Sequence, residues 1–180
     1  MARGRPSKKK VILDAARQLF AASGYQGTSI DLVVQTASVS KPTVYNNFPT
    51  KQALLLALLE ELLSEVQQQR QVILGDDNLS VIERLIGAFR QLATVPEYLS
   101  VYRMCYGERH KLDDDTYQLC IVFDQALQDD CIELLQRQEA TKETSMMIIA
   151  ICRESLLIPA LSGGRVVSSQ VIEAALSRVL

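Results

Sequence analysis

Residues 24–53 read GYQGTSIDLVVQTASVSKPTVYNNFPTKQA. Thr28 is placed to cap a helix whose third position is Asp31, a capping-box arrangement. Ile30, Val33, Val34 and Ala37 then recur at helical spacing. Ser38-Val39-Ser40 breaks that pattern, and Ser40 is a natural cap for a second helix. Pro42 falls in the first turn of that helix, where its missing N–H costs nothing. Val44, Tyr45 and Phe48 follow on the apolar side. Two short helices joined by a tight turn and sharing one apolar seam make a helix-turn-helix, whose second helix is built to enter the major groove of DNA.

The segment resembles the N-terminal domain of TetR-family transcriptional regulators. The resemblance is carried by Ala15, Phe20, Gly24, Tyr25, Thr28, Ser29, Val39, Ser40, Lys41, Thr43, Val44, Tyr45, Phe48, Lys51 and Leu54, and covers roughly residues 9–56. Ser38 stands where the family usually has Gly in the turn, and Val34 where it usually has Ala. Neither change removes a phosphate or base contact. Tyr45 and Lys51 match positions that usually touch phosphate in the family. The resemblance implies a bacterial one-component regulator, a repressor, working as a homodimer on a palindromic operator.

Composition agrees with a chain divided by charge. The 180 residues carry a net charge of −2, but residues 1–51 hold eight Lys/Arg against two Asp/Glu, and residues 52–180 hold eleven against nineteen. Basic charge confined to the helix-turn-helix end suits a polyanion partner, and the acidic remainder is repelled by DNA. The sequence therefore predicts two domains, a DNA-binding domain over 1–51 with a basic N-terminal arm and a helical effector-binding and dimerisation domain over 52–180. The hydrophobic share is 48%, yet no run approaches the ~18 apolar residues of a membrane span. No signal peptide is visible, because Asp14, Arg17 and Gln18 interrupt the stretch that follows the basic start. A cytoplasmic protein with no membrane partner is expected.

Four cysteines, Cys105, Cys120, Cys131 and Cys152, stand 15, 11 and 21 residues apart, and His110 is the only histidine. Without a short-spaced ligand pair, no zinc site is expected. The cysteines read as small hydrophobes of a cytosolic core, with redox sensing by one of them as the lesser alternative.

Beyond the basic arm of residues 1–8, helical periodicity covers 9–23, ended by Gly24. It resumes after Thr50 and runs to about Leu74, before the loop Gly75-Asp76-Asp77-Asn78. Further helices are expected over 80–94, from Pro96 to about Glu108, over 113–138, over 141–161, and over 168–180 after the turn at Gly163-Gly164. No segment alternates with period two over strand length. The expected fold is all-α, about nine helices, with a three-helix N-terminal DNA-binding domain and a C-terminal bundle.

Candidate functional residues fall in two groups. For DNA they are Arg3, Arg5, Thr28, Ser29, Lys41, Pro42, Thr43, Tyr45, Asn46, Asn47 and Lys51. Arg3-Gly4-Arg5-Pro6 looks like an AT-hook core suited to a narrow minor groove, or else a solvated tail. Lys41–Asn47 present donors and acceptors for base edges, and Thr28 and Ser29 lie at a helix N-terminus suited to phosphate. For a small-molecule effector they are Phe89, Tyr102, Arg103, Tyr106, Tyr117 and Phe123, aromatic groups around one cation, a pattern shared by pockets and by ordinary cores. Asp113-Asp114-Asp115 favours a helix start rather than a cation site.

The function expected is a ligand-responsive repressor. Its dimer is expected to pack through the last two helices, whose Ile148, Ile149, Ile151, Leu156, Leu157, Val171, Ile172, Leu176 and Val179 exceed the needs of one protomer. An alternative is a ligand-independent DNA-binding or architectural protein whose bundle only dimerises or recruits a partner. An enzyme is not expected. A carboxylate-bridged metal bundle needs Glu-x-x-His pairs, and neither a Ser/His/Asp set nor a Gly-rich phosphate loop is present. No cofactor is called for.

Overall fold

A computed structural model describes residues 7–180, and among these residues the chain is all-α with nine helices. The helices are α1 (Lys8–Gly27), α2 (Ile30–Ala37), α3 (Lys41–Asn47), α4 (Lys51–Leu74), α5 (Val81–Thr94), α6 (Pro96–Gly107), α7 (Asp114–Gln136), α8 (Lys142–Ser162) and α9 (Ser169–Leu176). A single 3-10 turn, Arg109–Lys111, separates α6 from α7. The basic arm that carries Arg3 and Arg5 lies outside the described residues.

Local chemistry sets most helix ends. Ser7, Ser29, Ser40, Ser80 and Thr141 each accept a backbone N–H from the first turn that follows, satisfying donors a helix cannot pair internally. At α2 the cap is Ser29, one residue later than the expected Thr28. Thr28 is instead buried, and its hydroxyl donates to Gly24 O at 2.8 Å. Gly24 breaks the regular winding of α1 with φ 66°, a conformation that costs glycine nothing. In α8, Pro159 has no N–H for Ser155 O; Val167 N–H supplies the bond from beyond the helix at 3.0 Å. Residues Arg153–Leu157 just ahead of this proline widen into a π turn, the usual local response to an interrupted ladder.

Among the described residues, packing divides the chain into two compact units, residues 7–62 with 100–121, and residues 63–99 with 122–180. In the first, α1 lies against α2 and α3, and Ile12, Ala16, Phe20, Val33, Val44 and Phe48 are buried. Glu61 of α4 receives Lys10 at 2.6 Å and Arg17 at 3.0 Å from α1.

In the second unit, α5, α8 and α9 pack together, and two ion pairs tie long helices. Arg153 of α8 meets Asp124 of α7 at 2.9 Å. Arg70 of α4 is fully buried and meets Asp130 of α7 at 2.6 Å. By length and composition α8 is apolar enough to cross a membrane, but Ile148, Cys152, Leu156 and Leu157 on it are buried in protein, as a bundle helix requires. Of the residues expected at a dimer face, Ile148, Ile149, Leu156, Leu157, Ile172 and Leu176 are buried within the chain, while Val171 is exposed together with Met146 and Met147.

Candidate nucleic-acid interface

The α2–α3 turn is a backbone problem solved at Ser38. Its φ and ψ of 51° and 46° are left-handed, a region that costs a non-glycine residue roughly 1–2 kcal/mol. The turn closes with Ser38 N–H on Gln35 O and Val39 N–H on Val34 O, at 3.2 and 3.3 Å. Ser40 then caps α3 by accepting Thr43 N–H at 3.2 Å. Val44 and Phe48, both buried, anchor the inner side of α3.

The outer side of α3 is Lys41, Pro42, Tyr45, Asn46 and Asn47, all exposed, with Thr43 half-buried. Lys41 Nζ pairs with Asp31 Oδ1 across the turn at 2.8 Å, and that carboxylate raises the ammonium pKa above its ordinary value. A phosphate would compete with Asp31 for this cation. Thr43 and Ser40 hydroxyls share a hydrogen bond of 2.7 Å, and the Asn47 amide donates to Thr43 O at 2.8 Å. Asn46 and Tyr45 project from this braced surface, Tyr45 with 43% exposure. Such a face offers a cation, two carboxamides and two hydroxyls on a helix that fits a major groove.

Behind this face lies a junction that sequence reasoning assigned differently. Lys51 Nζ donates to Tyr25 O at 2.9 Å and to Thr28 O at 3.0 Å, and sits 4.0 Å from the centre of the Tyr25 ring. Its burial lowers the ammonium pKa, offset in part by Glu108. Thr28 likewise spends its hydroxyl inside the protein, whereas Ser29 stays exposed beside it. Glu108, at the end of α6, accepts Tyr25 N–H at 3.1 Å and Gln26 N–H at 2.6 Å. Nothing local marks Glu108 as a partner of residues more than eighty positions earlier, so the sequence carries no signal for it.

The effector candidates do not gather as one cluster within either unit. Tyr102, Arg103, Tyr106 and Tyr117 belong to the first unit, Phe89 and Phe123 to the second. Tyr102 is buried, Tyr106 is 61% exposed, and Arg109 covers the Tyr117 ring at 3.9 Å. Phe123 packs against Tyr98 in the second unit with ring centres 6.0 Å apart. The second unit has a separate groove of about 400 Å³ between α7 and α8, lined by Gln128, Ile132, Gln136, Lys142, Met146 and Ile149 among others. None of the six candidates lines it. No cluster of His, Cys, Asp and Glu suited to a metal occurs among the described residues. Asp113 accepts Thr116 N–H at 2.9 Å at the start of α7, the helix-start role expected for the acidic run.

A family model described as bacterial regulatory proteins, tetR family, matches residues 12–58, which span the helix-turn-helix and its supports. The match is confined to this segment, about a quarter of the chain. Among curated relatives, the uncharacterized HTH-type transcriptional regulator YhgD of Bacillus subtilis is 40% identical over 62 residues, covering 34% of this chain and 32% of that protein. The chain thus matches about a third of that relative's length. The fold likeness extends further. A TetR transcriptional regulator from Legionella pneumophila aligns over 98% of this chain and 97% of its own, with TM-score 0.77 and 17% identity. FadR from Bacillus subtilis, solved in complex with stearoyl-CoA, aligns over 94% and 96% with TM-score 0.69 and 16% identity.

Proposed function

We propose that the chain is a DNA-binding transcriptional regulator, a ligand-responsive repressor that works in the cytoplasm as a homodimer on a palindromic operator. The observation that carries this reading is the outer face of α3. Polar side chains stand exposed on a helix fixed from within by Val44 and Phe48, capped by Ser40, and braced by Ser40–Thr43 and Asn47–Thr43 bonds. Lys41, Tyr45 and Ser29 serve the phosphate backbone, and Thr43, Asn46 and Asn47 the base edges. Two copies of this face fit successive major grooves, with half-site centres about one helical turn, ~34 Å, apart.

Dimerisation through α8 and α9 is supported by the exposed Met146, Met147 and Val171, apolar side chains that two-fold pairing removes from water. FadR, which shares the fold, was solved with stearoyl-CoA, and the effector candidates here remain Phe89, Tyr102, Arg103, Tyr106, Tyr117 and Phe123. Binding-site selection from random duplexes with the full chain tests the core of the reading. The expected result is an inverted repeat, and recovery of DNA with no enriched sequence overturns it.

A further inference from the structure

The four cysteines form two unlike sets. Cys131 and Cys152 are free and buried in the second unit, and desolvation pushes both thiols up to about 12. At that value the nucleophilic thiolate is scarce and the sulfur inert. Cys105 of α6 and Cys120 of α7 instead form a disulfide within the first unit, with Cα atoms 6.0 Å apart. That separation is ordinary for a native bridge. Cys105 is half-buried and Cys120 is buried. This corrects the expectation of four inert core cysteines.

The bridge lies one helical turn from the junction behind the recognition module. Glu108 follows Cys105 by three residues, and its carboxylate is the acceptor for the Tyr25 and Gln26 amides. The approach requires glycine at position 24, because a Cβ there would collide with Glu108 Oε1. Lys51 reaches the same stretch from the other side, through Tyr25 O and Thr28 O. The stretch that follows Gly24, from Tyr25 to Thr28, is therefore gripped by an acid three residues from Cys105 and by the first residue of α4.

We propose that Cys105 and Cys120 are a reversible redox clamp, which on oxidation by a hydroperoxide fixes Glu108 against the Tyr25–Gln26 amides and strengthens DNA binding by the α2–α3 module. The inference rests on the DNA-binding function proposed above. A protein acting on chromosomal DNA works where thiols are kept reduced, and a disulfide in that setting is transient rather than structural. The chemistry balances in two steps. The Cys105 thiolate attacks one peroxide oxygen, the O–O bond breaks, and the leaving oxygen departs as water or alcohol after taking a proton. The sulfenic acid so formed is attacked by the Cys120 sulfur, the S–O bond breaks, and water leaves as the disulfide forms. Two thiols lose two electrons and two protons, and the hydroperoxide gains both. A dithiol reverses the reaction by exchange.

Direction follows from preorganisation. In the bridged form the caps and turn of the reading module are complete, and ordering already present in the free protein is not lost again on docking. Reduction removes the covalent tie between α6 and α7 and leaves Glu108 positioned by non-covalent contacts alone.

The test uses the full chain, reduced with dithiothreitol or oxidised with hydrogen peroxide, and DNA recovered by selection. Oxidation should lower the titratable thiols from four to two, slow hydrogen exchange at the Tyr25 and Gln26 amides, and raise DNA affinity by ~5-fold, the lower end of typical coupling between sites. Cys105→Ser and Cys120→Ser should erase the difference, while Cys131→Ser and Cys152→Ser keep it. Glu108→Gln should still form the disulfide yet lose most of the exchange and affinity response. Equal exchange at the two amides in both redox states overturns the clamp, as does a response that survives in Cys105→Ser. If selection recovers no sequence, the functional reading falls, and the exchange measurement still decides the clamp by itself.

Discussion

The α2–α3 module and the α8–α9 pair use apolar residues to opposite ends. In α2–α3 a small set, Val33, Ala37, Val44 and Phe48, is buried, and the outer faces are mostly polar, with Leu32 and the Tyr45 ring also exposed. In α8–α9 a larger set, Ile148, Cys152, Leu156, Leu157, Ile172 and Leu176, is buried, and the outer faces still carry Met146, Met147 and Val171. The first arrangement fixes a polar surface in space at small cost in core. The second builds a core and has apolar surface left over. A rigid polar face suits a charged, hydrogen-bonding partner, and leftover apolar face suits a second protein surface.

The largest expected effect separates core from face within α8. Leu157→Glu places a carboxylate where no solvent reaches, and should destabilise the chain by about 3–5 kcal/mol or unfold it outright. Met146→Glu sits in solvent and should leave the melting temperature nearly unchanged while shifting the dimer toward monomer in sedimentation. A folded, monomeric Leu157→Glu protein would break the distinction drawn here.

Next in size are changes on and behind the reading face. Asn46→Ala should relax preference at particular operator positions, by ~1–3 kcal/mol if the lost contact is bidentate, with thermal stability intact. Lys51→Ala should behave differently from a surface phosphate contact. It removes two internal hydrogen bonds, so it should lower the melting temperature as well as affinity for every sequence. Weaker binding with unchanged melting would return Lys51 to a phosphate role alone.

A smaller effect probes the turn itself. Ser38→Gly relieves a left-handed non-glycine residue and should stabilise the chain by about 0.5–1 kcal/mol, with the operator motif unchanged by selection. A destabilised Ser38→Gly variant would mean that the hydroxyl outweighs the strain.

The smallest is a pH effect in α5. Ser80 hydroxyl and backbone donors hold the Glu83 carboxyl below its ordinary 4.5. A depressed carboxylate adds stability above the unfolded value, and loses it as pH falls through the folded one. Acid melting of Ser80→Ala should therefore be shallower than that of the native chain below pH 4.5.

The readings that rested on neighbours within four residues, the cap at Ser40 and the place of Pro42, agree with the structure because capping bonds are made over that range. Even there, the cap moved from Thr28 to Ser29, since either hydroxyl can cap and burial of Thr28 under Gly24 O decided between them. The helical periodicity of α8 showed an apolar helix but not which side faces inward, because residues apolar nearly all round leave no polar stripe to orient it.

By itself the sequence determined an all-α chain with a helix-turn-helix near its basic end, because propensity, capping and periodicity act between near neighbours. Only the tertiary structure decided that Lys51 turns inward, that Glu108 grips the Tyr25–Gln26 amides, that Arg70 is buried on Asp130, and that Cys105 meets Cys120. The partners in these pairs stand from 15 to 83 positions apart. Nothing in a local pattern selects one distant carboxylate or thiol over another; the fold does so by bringing particular helix ends together.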